Sequence, residues 1–200
     1  MKDYEKLSRE HFDGMADNYA ATDGLYYTEL PKLSCDEIMR RCEGIKIGRL
    51  LDVGCGSGYL LSRLAAERPS ARLCGLDISP KMLAHAAKKL QGAAGVTLKE
   101  GGAGELPYAD GEFDAVTCVM SFHHYPYPAR AVAEAFRVLK RGGVYILSDV
   151  DKRGMGEPGE EEFAFYTADD AAWLLADAGF KVEEKFRLTP KSFYVSGRKP

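Results

Sequence analysis

The 200-residue sequence predicts an α/β fold with helices on both faces of a seven-stranded sheet, mostly parallel and ending in an antiparallel C-terminal hairpin. Three observations carry this expectation. From residue 45 onward, short apolar or β-branched runs alternate with helical stretches, the pattern of βαβ units. Hydrophobic residues at 46% and charged residues at 28% match an ordinary globular chain with one sizeable core. Glycine, at 21 of 200 residues, exceeds a common usage of about 7% and falls mostly at turns between apolar runs.

Strands are expected at Arg49–Val53, Arg72–Asp77, Val96–Glu100, Phe113–Met120, Val144–Asp149, Lys181–Leu188 and Ser192–Ser196. Helices fill the intervals at Tyr59–Glu67, Pro80–Leu90, Ala129–Leu139 and Ala168–Ala178. Ser79 before Pro80 reads as an N-cap, and Thr167 with Asp170 as a capping box in which aspartate replaces glutamate. Gly142 and Gly179 suit the left-handed position beyond a helix C-terminus. Only Thr189, Pro190 and Lys191 separate the last two strands, so these pair antiparallel at a sheet edge. That reversal departs from the all-parallel dinucleotide-binding topology.

Ahead of the first strand, Phe12, Met15 and Tyr19 fall at helical spacing, followed by a second candidate helix around Lys32–Cys42. One domain over residues 1–200 is expected. Within it, residues 1–44 read as a helical lid or as scaffold packed across the sheet.

A net charge of −3 and a pI near 5.9 give no global attraction to a phosphate backbone, so nucleic acid is not expected as a partner. The five cysteines, Cys35, Cys42, Cys55, Cys74 and Cys118, form no CxxC pair and read as reduced thiols. The opening twenty residues are charged and lack an apolar signal core, and no apolar run approaches the length of about 18 needed for a membrane span. A cytoplasmic location is the expectation.

The chemistry concentrates at Leu50-Leu51-Asp52-Val53-Gly54-Cys55-Gly56-Ser57-Gly58-Tyr59, an apolar strand ending in an acid and followed by three alternating glycines that enter a helix. Glycine removes Cβ atoms that block ligand approach, and a helix N-terminus presents free N–H groups to an anionic carboxylate. Nineteen residues after Gly58, Asp77 ends the run Leu73-Cys74-Gly75-Leu76, where a carboxylate can accept both hydroxyl hydrogens of a ribose. Ser79 already serves as the helix cap, which leaves Asp77 for a ligand.

With these motifs the chain resembles the class I S-adenosylmethionine-dependent methyltransferases, in particular the small ubiquinone-biosynthesis-like and related small-molecule branch. The resemblance covers nearly the whole chain. It rests on LLDVGCGSG at 50–58, GLDISPKML at 75–83, GELPYADGEFDAV at 104–116 and EAFRVLKRGGVYILSD at 134–149, with FDGMADNYA at 12–20 similar to the family's opening segment although Ala20 stands where aspartate is frequent. It implies a Rossmann-like seven-stranded methyltransferase sheet, S-adenosyl-L-methionine as cofactor and a small-molecule acceptor.

By the same resemblance, Asp52 and the turn Gly54, Cys55, Gly56 and Gly58 would hold the methionine end of the cofactor and Asp77 its ribose. Ile78 and Met82 would cover the adenine, and Tyr19 would close over the methionine moiety. The family often carries an acid before Ala103 to receive the adenine amino group. Gly102 stands there in this sequence, leaving backbone around Ala103 and Gly104, or water, to recognise the base.

Met120-Ser121-Phe122-His123-His124-Tyr125 follows the fourth strand, at the carboxyl edge where α/β sheets place ligands. Met120 is counted with the cofactor site. Methyl transfer from a sulfonium needs an aligned nucleophile, and a base only where the acceptor must lose a proton. His123 and His124 are the candidate catalytic residues, with unperturbed pKa values near 6.5 suited to a base, although adjacent residues in an extended chain face opposite ways. Packing or hydrogen bonding within the loop is the other reading. No third residue at ligand spacing accompanies them, so no metal site is expected. The acidic tract Gly156–Glu162 reads as a solvated surface beside the acceptor pocket, favourable to a cation.

Two other functions fit parts of the pattern. A nicotinamide-dependent oxidoreductase shares the strand, glycine turn and distal acid, but its fingerprint is G-x-G-x-x-G, whereas Gly54, Gly56 and Gly58 are evenly spaced. A non-catalytic S-adenosylmethionine-binding module would keep the same binding residues.

Overall fold

The computed structural model describes residues 4–22, 29–155 and 164–200. Two helices, α1 (Tyr4–Thr22) and α2 (Leu30–Cys42), precede β1 (Arg49–Val53), α3 (Tyr59–Glu67), β2 (Arg72–Asp77), α4 (Pro80–Lys89), β3 (Val96–Glu100) and β4 (Phe113–Val119). A single 3-10 turn at Phe122–His124 leads to α5 (Pro128–Val138), β5 (Leu139–Val150), α6 (Lys152–Met155), α7 (Ala168–Asp177), β6 (Lys181–Thr189) and β7 (Ser192–Arg198). The acidic tract at 156–162 lies outside the described residues.

The seven strands form one sheet in the order β3-β2-β1-β4-β5-β7-β6. Pairings from β3 through β5 are parallel, whereas β7 runs antiparallel to both β5 and β6. The hairpin therefore inserts its second strand beside β5 and leaves its first on the outside. Side-chain chemistry accounts for that choice. Phe193, Tyr194 and Val195 on β7 are all buried, as a strand covered on both faces requires, while β6 carries Lys181, Glu183, Glu184, Lys185 and Arg187 and suits an exposed edge.

Alternation along the central strands divides the core in two. Leu50, Ala115, Ile146 and Tyr194 pack against Ile38 and Met39 of α2, Leu61 and Leu64 of α3 and Ala86 of α4. Leu51, Val116, Cys118 and Leu147 face the other way, onto Val132 and Ala135 of α5 and Ala171 and Leu175 of α7.

The helix caps follow from sequence with one correction. Thr167 Oγ1 accepts from the Asp170 amide while Asp170 Oδ2 accepts from the Thr167 amide, completing the capping box. At the other end of α7, Gly179 and Phe180 donate to Ala176 and Leu175 carbonyls, with Gly179 at φ +99°. Gly142 also has a positive φ, +78°, but lies inside β5 and donates to the Lys199 carbonyl, so it is not a helix cap. Helix α5 ends earlier because Leu139 pairs with Phe113 of β4, and ladder pairing overrides helical continuation.

Replacing Thr167 by alanine removes one half of the capping box and is expected to lower unfolding stability by about 1 kcal/mol. Denaturant unfolding followed by circular dichroism checks this. An unchanged midpoint would show that Asp170 holds the helix end alone.

Candidate active site

Strand order reverses between β1 and β4, and the carboxyl ends of β1, β2 and β4 open there into a cavity of about 500 Å³. The glycine turn after β1 forms its floor. Gly54 and Cys55 amides both donate to the Leu76 carbonyl, at 2.8 and 3.0 Å, and the Gly56 amide donates to Asp77 Oδ2 at 2.7 Å. Three consecutive N–H groups are thereby tethered to the end of β2.

This geometry requires left-handed backbone, with φ of +73° at Gly54 and +51° at Gly56. A Cβ on Gly54 would stand 2.0 Å from Ser121 Oγ, so the strand-four loop presses directly on it. A Cβ on Gly56 would meet nothing within 4 Å, because that face opens into the cavity. Gly58 differs from both: it is the N-cap of α3, and a Cβ there would lie 3.1 Å from Ala86 of α4. It spaces two helices and is not on the cavity wall, whereas Gly54, Cys55 and Gly56 are.

Asp77 is buried, with Oδ1 accepting from the Ser79 amide at 3.0 Å. Burial raises its carboxyl above the usual range, although amide bonds from Ser79, Gly56 and Ile78 pull the other way. Ser79 Oγ accepts from the Met82 amide, so Ser79 and not Asp77 caps α4. Asp52 is also buried and accepts from Thr117 Oγ1 at 2.8 Å. Burial pushes its carboxyl up to about 7, opposed by the Thr117 bond and assisted by nearby Asp77. Ile78, Met82, Ala103 and Gly104 line the end of the cavity beyond Asp77.

Helix α1 forms the opposite wall. Glu5, Ser8, Phe12, Met15 and Tyr19 recur at intervals of three and four residues and line the cavity. A neighbouring stripe grips the domain: Arg9 pairs with Glu100 at 2.9 Å, Asp13 accepts from Ser79 Oγ at 2.5 Å, and Asp17 bonds His85 at 2.8 Å.

The histidines sit on the 3-10 turn, so the condition of an extended chain, under which they would face opposite ways, is not met. Their ring centroids are 4.0 Å apart and both line the cavity, because a tight turn brings adjacent residues to one side. His123 is buried and its Nδ1 lies 2.5 Å from Asp149 Oδ1 at the end of β5. Asp149 Oδ2 accepts from the Phe122 and His123 amides, at 2.6 and 3.3 Å. Burial alone would raise the Asp149 carboxyl, but the His123 ring, the Val150 amide and His124 outweigh it and hold the group below the usual carboxylate range. His124 meets the edge of Phe12, with centroids 4.8 Å apart.

Met120 lines the cavity with φ +51°, the one positive φ outside glycine among the described residues. Behind it, Tyr125 Oη bonds Ser121 Oγ at 2.6 Å and donates to the Val53 carbonyl at 3.1 Å, bracing the loop against the glycine turn. The reading of Tyr125 as a residue that fixes this loop agrees with these bonds, whereas Asp149 has no counterpart among the sequence expectations. A signal for Asp149 is present: Asp52, Asp77 and Asp149 each stand in the last two positions of a largely apolar strand. Among the described residues no group of three His, Cys, Asp or Glu is placed to hold a metal ion, and no helix is long and apolar enough to cross a membrane.

Comparison with known proteins agrees with this architecture. Residues 51–147 match the model of a methyltransferase domain family. Demethylmenaquinone methyltransferase of Staphylococcus carnosus is 31% identical over 142 residues, covering 70% of this chain and 59% of that protein. The chain spans about half the length of such curated relatives, from 30% to 61%. An S-adenosylmethionine-dependent methyltransferase from Aquifex aeolicus superposes with a TM-score of 0.74 at 20% identity, covering 94% of this chain and 97% of that one. A putative methyltransferase bound to the Trm112 methyltransferase activator of Haloferax volcanii gives a TM-score of 0.83 at 19% identity, covering 96% and 97%. The matched stretch runs from β1 and the glycine turn through the histidine turn to β5, and over it the chain is similar to methyltransferase domains.

Proposed function

We propose that the protein transfers the methyl group of S-adenosylmethionine to a small-molecule acceptor at the carboxyl end of β4. One observation carries this reading: a buried Asp77 carboxylate faces a glycine turn whose Gly56 Cα opens onto empty cavity. The residues fit the cofactor in three places. Asp77 Oδ2 accepts from the Gly56 amide and Oδ1 from the Ser79 amide, with a further amide bond from Ile78, and the carboxylate would also accept a ribose hydroxyl. Ionised Asp52 would oppose the ammonium of the methionine end. Ile78 and Met82 would cover the faces of the base, and Tyr19 with Phe12 and Met15 would cover the methionine moiety.

When bound, the cofactor supplies an electrophilic methyl group on a sulfonium sulfur. The chain's contribution is alignment and exclusion of water. His123 is proposed to take the acceptor's proton through Nε2, with anionic Asp149 fixing the ring through Nδ1 and stabilising the imidazolium. His124, against Phe12, would bridge the histidine turn to α1. Leu30, Val150 and Met155 add apolar wall on this side, favouring an acceptor with an apolar body.

Residues 1–44 are proposed to act as a cover within a single domain over residues 1–200. The support is the character of its attachment: α1 holds the domain through polar contacts such as Arg9–Glu100, both ends of which are over two-fifths exposed, and such pairs contribute little each. A cytoplasmic setting is supported by five cysteines that are free thiols, all buried.

Incubation with isotopically labelled S-adenosylmethionine and a panel of small acceptors should give a product carrying the label. Asp77→Ala should weaken binding of S-adenosylhomocysteine by about 1.5–3 kcal/mol, the value of a charge-assisted hydrogen bond, and calorimetry showing unchanged affinity in a folded variant would exclude the ribose role.

The Asp52 carboxyl, at about 7, is mostly protonated at pH 6 and mostly ionised at pH 8. A ligand ammonium favours the ionised form, so affinity for S-adenosylhomocysteine should rise up to about tenfold between these pH values, with proton release at the lower one. Asp52→Asn should show neither effect; a pH-dependent Asn variant would place the titration elsewhere.

Under single-turnover conditions with saturating cofactor, methylation should slow as pH falls through the histidine range. His123→Asn should lose that dependence and run at least about 100-fold slower. Full rate with an unchanged pH profile would make the ring purely structural.

A further inference from the structure

We propose that Glu5, in the first turn of α1, supplies the carboxylate that recognises the amino edge of the cofactor's purine, an inference that rests on the adenosyl-binding reading above. Among the described residues the cavity wall carries three carboxylates, those of Glu5, Asp52 and Asp77. Two are accounted for: Asp52 lies at the end of β1 against Thr117, and Asp77 is held by the Gly56 and Ser79 amides. Glu5 stands apart from both, at the glycine segment after β3. A Cβ on Gly102 would lie 2.9 Å from Glu5 Oε1 and 3.4 Å from its carboxyl carbon. The carboxylate thus occupies the volume a side chain at 102 would fill, and the missing side chain is what admits it.

The position matches the chemistry of a purine. Leu76, Ile78 and Met82 wall the cavity beyond Asp77 with apolar surface suited to a flat ring. Gly101, Gly102, Ala103 and Gly104 form its rim and carry no polar side chain. An exocyclic amino group on the ring edge presents a donor toward that rim, and an ionised carboxylate is a strong acceptor for it. A carbonyl at the same ring position would instead meet like partial charge, so Glu5 favours adenine over hypoxanthine.

Helix α1 is anchored so as to deliver this group. Arg9, one turn beyond Glu5, pairs with Glu100 immediately before the glycines, and Asp13, one turn further, bonds Ser79 Oγ and the Lys81 amide. Recognition of the base therefore draws on the same helix that covers the methionine end, and binding of the purine adds a contact that holds the cover shut.

Calorimetric titration with S-adenosylhomocysteine and with S-inosylhomocysteine, which carries a carbonyl in place of the amino group, tests the assignment. The unaltered protein should prefer the adenine compound by about 10- to 100-fold. Glu5→Ala should bring the two affinities close to equal, and Glu5→Ala combined with Gly102→Asp should restore the preference by placing a carboxylate in the vacated volume. Asp77→Ala should weaken both compounds alike and leave their ratio unchanged. If Glu5→Ala keeps the full preference, or the unaltered protein binds both compounds equally, the Glu5 assignment is overturned while the adenosyl-binding reading stands. Failure of the unaltered protein to bind either compound overturns both.

Discussion

Everything at the site depends on the tether between the first loop and the end of the second strand. Three successive amides, of Gly54, Cys55 and Gly56, converge on the Leu76 carbonyl and the Asp77 carboxylate. Ordinary side chains at 54 and 56 would strain that turn, because the backbone enters left-handed space at both positions and Ser121 presses against Gly54. The tether holds Asp77 facing the cavity and starts α3 at Gly58. It also leaves the Gly56 face clear of side chains.

The tether is sustained at an electrostatic cost. Asp52, Asp77 and Asp149 each lie in the last two positions of a strand of the buried sheet, and burial disfavours their charged forms. The protein resolves the three differently. Asp149 gains the His123 ring and the Phe122, His123 and Val150 amides and stays ionised. Asp77 gains amides only and is shifted upward. Asp52 gains one hydroxyl and sits near 7, so its folded pKa lies above the ordinary value of 3.8. The destabilisation from Asp52 is absent below about pH 4, grows through the interval and amounts to roughly 4 kcal/mol above it. A cationic ligand beside Asp52 would relieve that penalty, which makes the group useful in binding for the same reason that it is costly in folding.

Helix α1 carries two adjacent stripes with separate tasks. One faces the cavity with Glu5, Phe12, Met15 and Tyr19; the other grips β3 and α4 with Arg9, Asp13 and Asp17. The gripping contacts are polar, in contrast to the apolar seam between α2 and the sheet, where Ile38 and Met39 are buried. The N-terminal segment thus combines a helix gripped by polar contacts and a firmly packed scaffold helix.

Periodicity by itself determined the strands, the helices on both faces and the closing hairpin, because burial of one sheet demands apolar runs of fixed period and tight turns demand glycine or capping residues. It also determined the glycine turn and Asp77, whose chemistry is local: a strand end, a left-handed loop and an acid at the next strand end. The helix assigned up to Leu139 and capped by Gly142 was misread, since local propensity carries no knowledge of the pairing between Leu139 and Phe113. Likewise, the even glycine spacing reads as one cradle, but Gly58 serves contact with Ala86 of α4, a neighbour visible only after packing. The His123–Asp149 pair joins residues 26 positions apart on different elements, and Glu5 meets Gly102 across nearly a hundred residues of chain. Such partners are chosen by the parallel order of the sheet, which brings distant strand ends and the N-terminal helix to one rim, and no local pattern encodes that meeting.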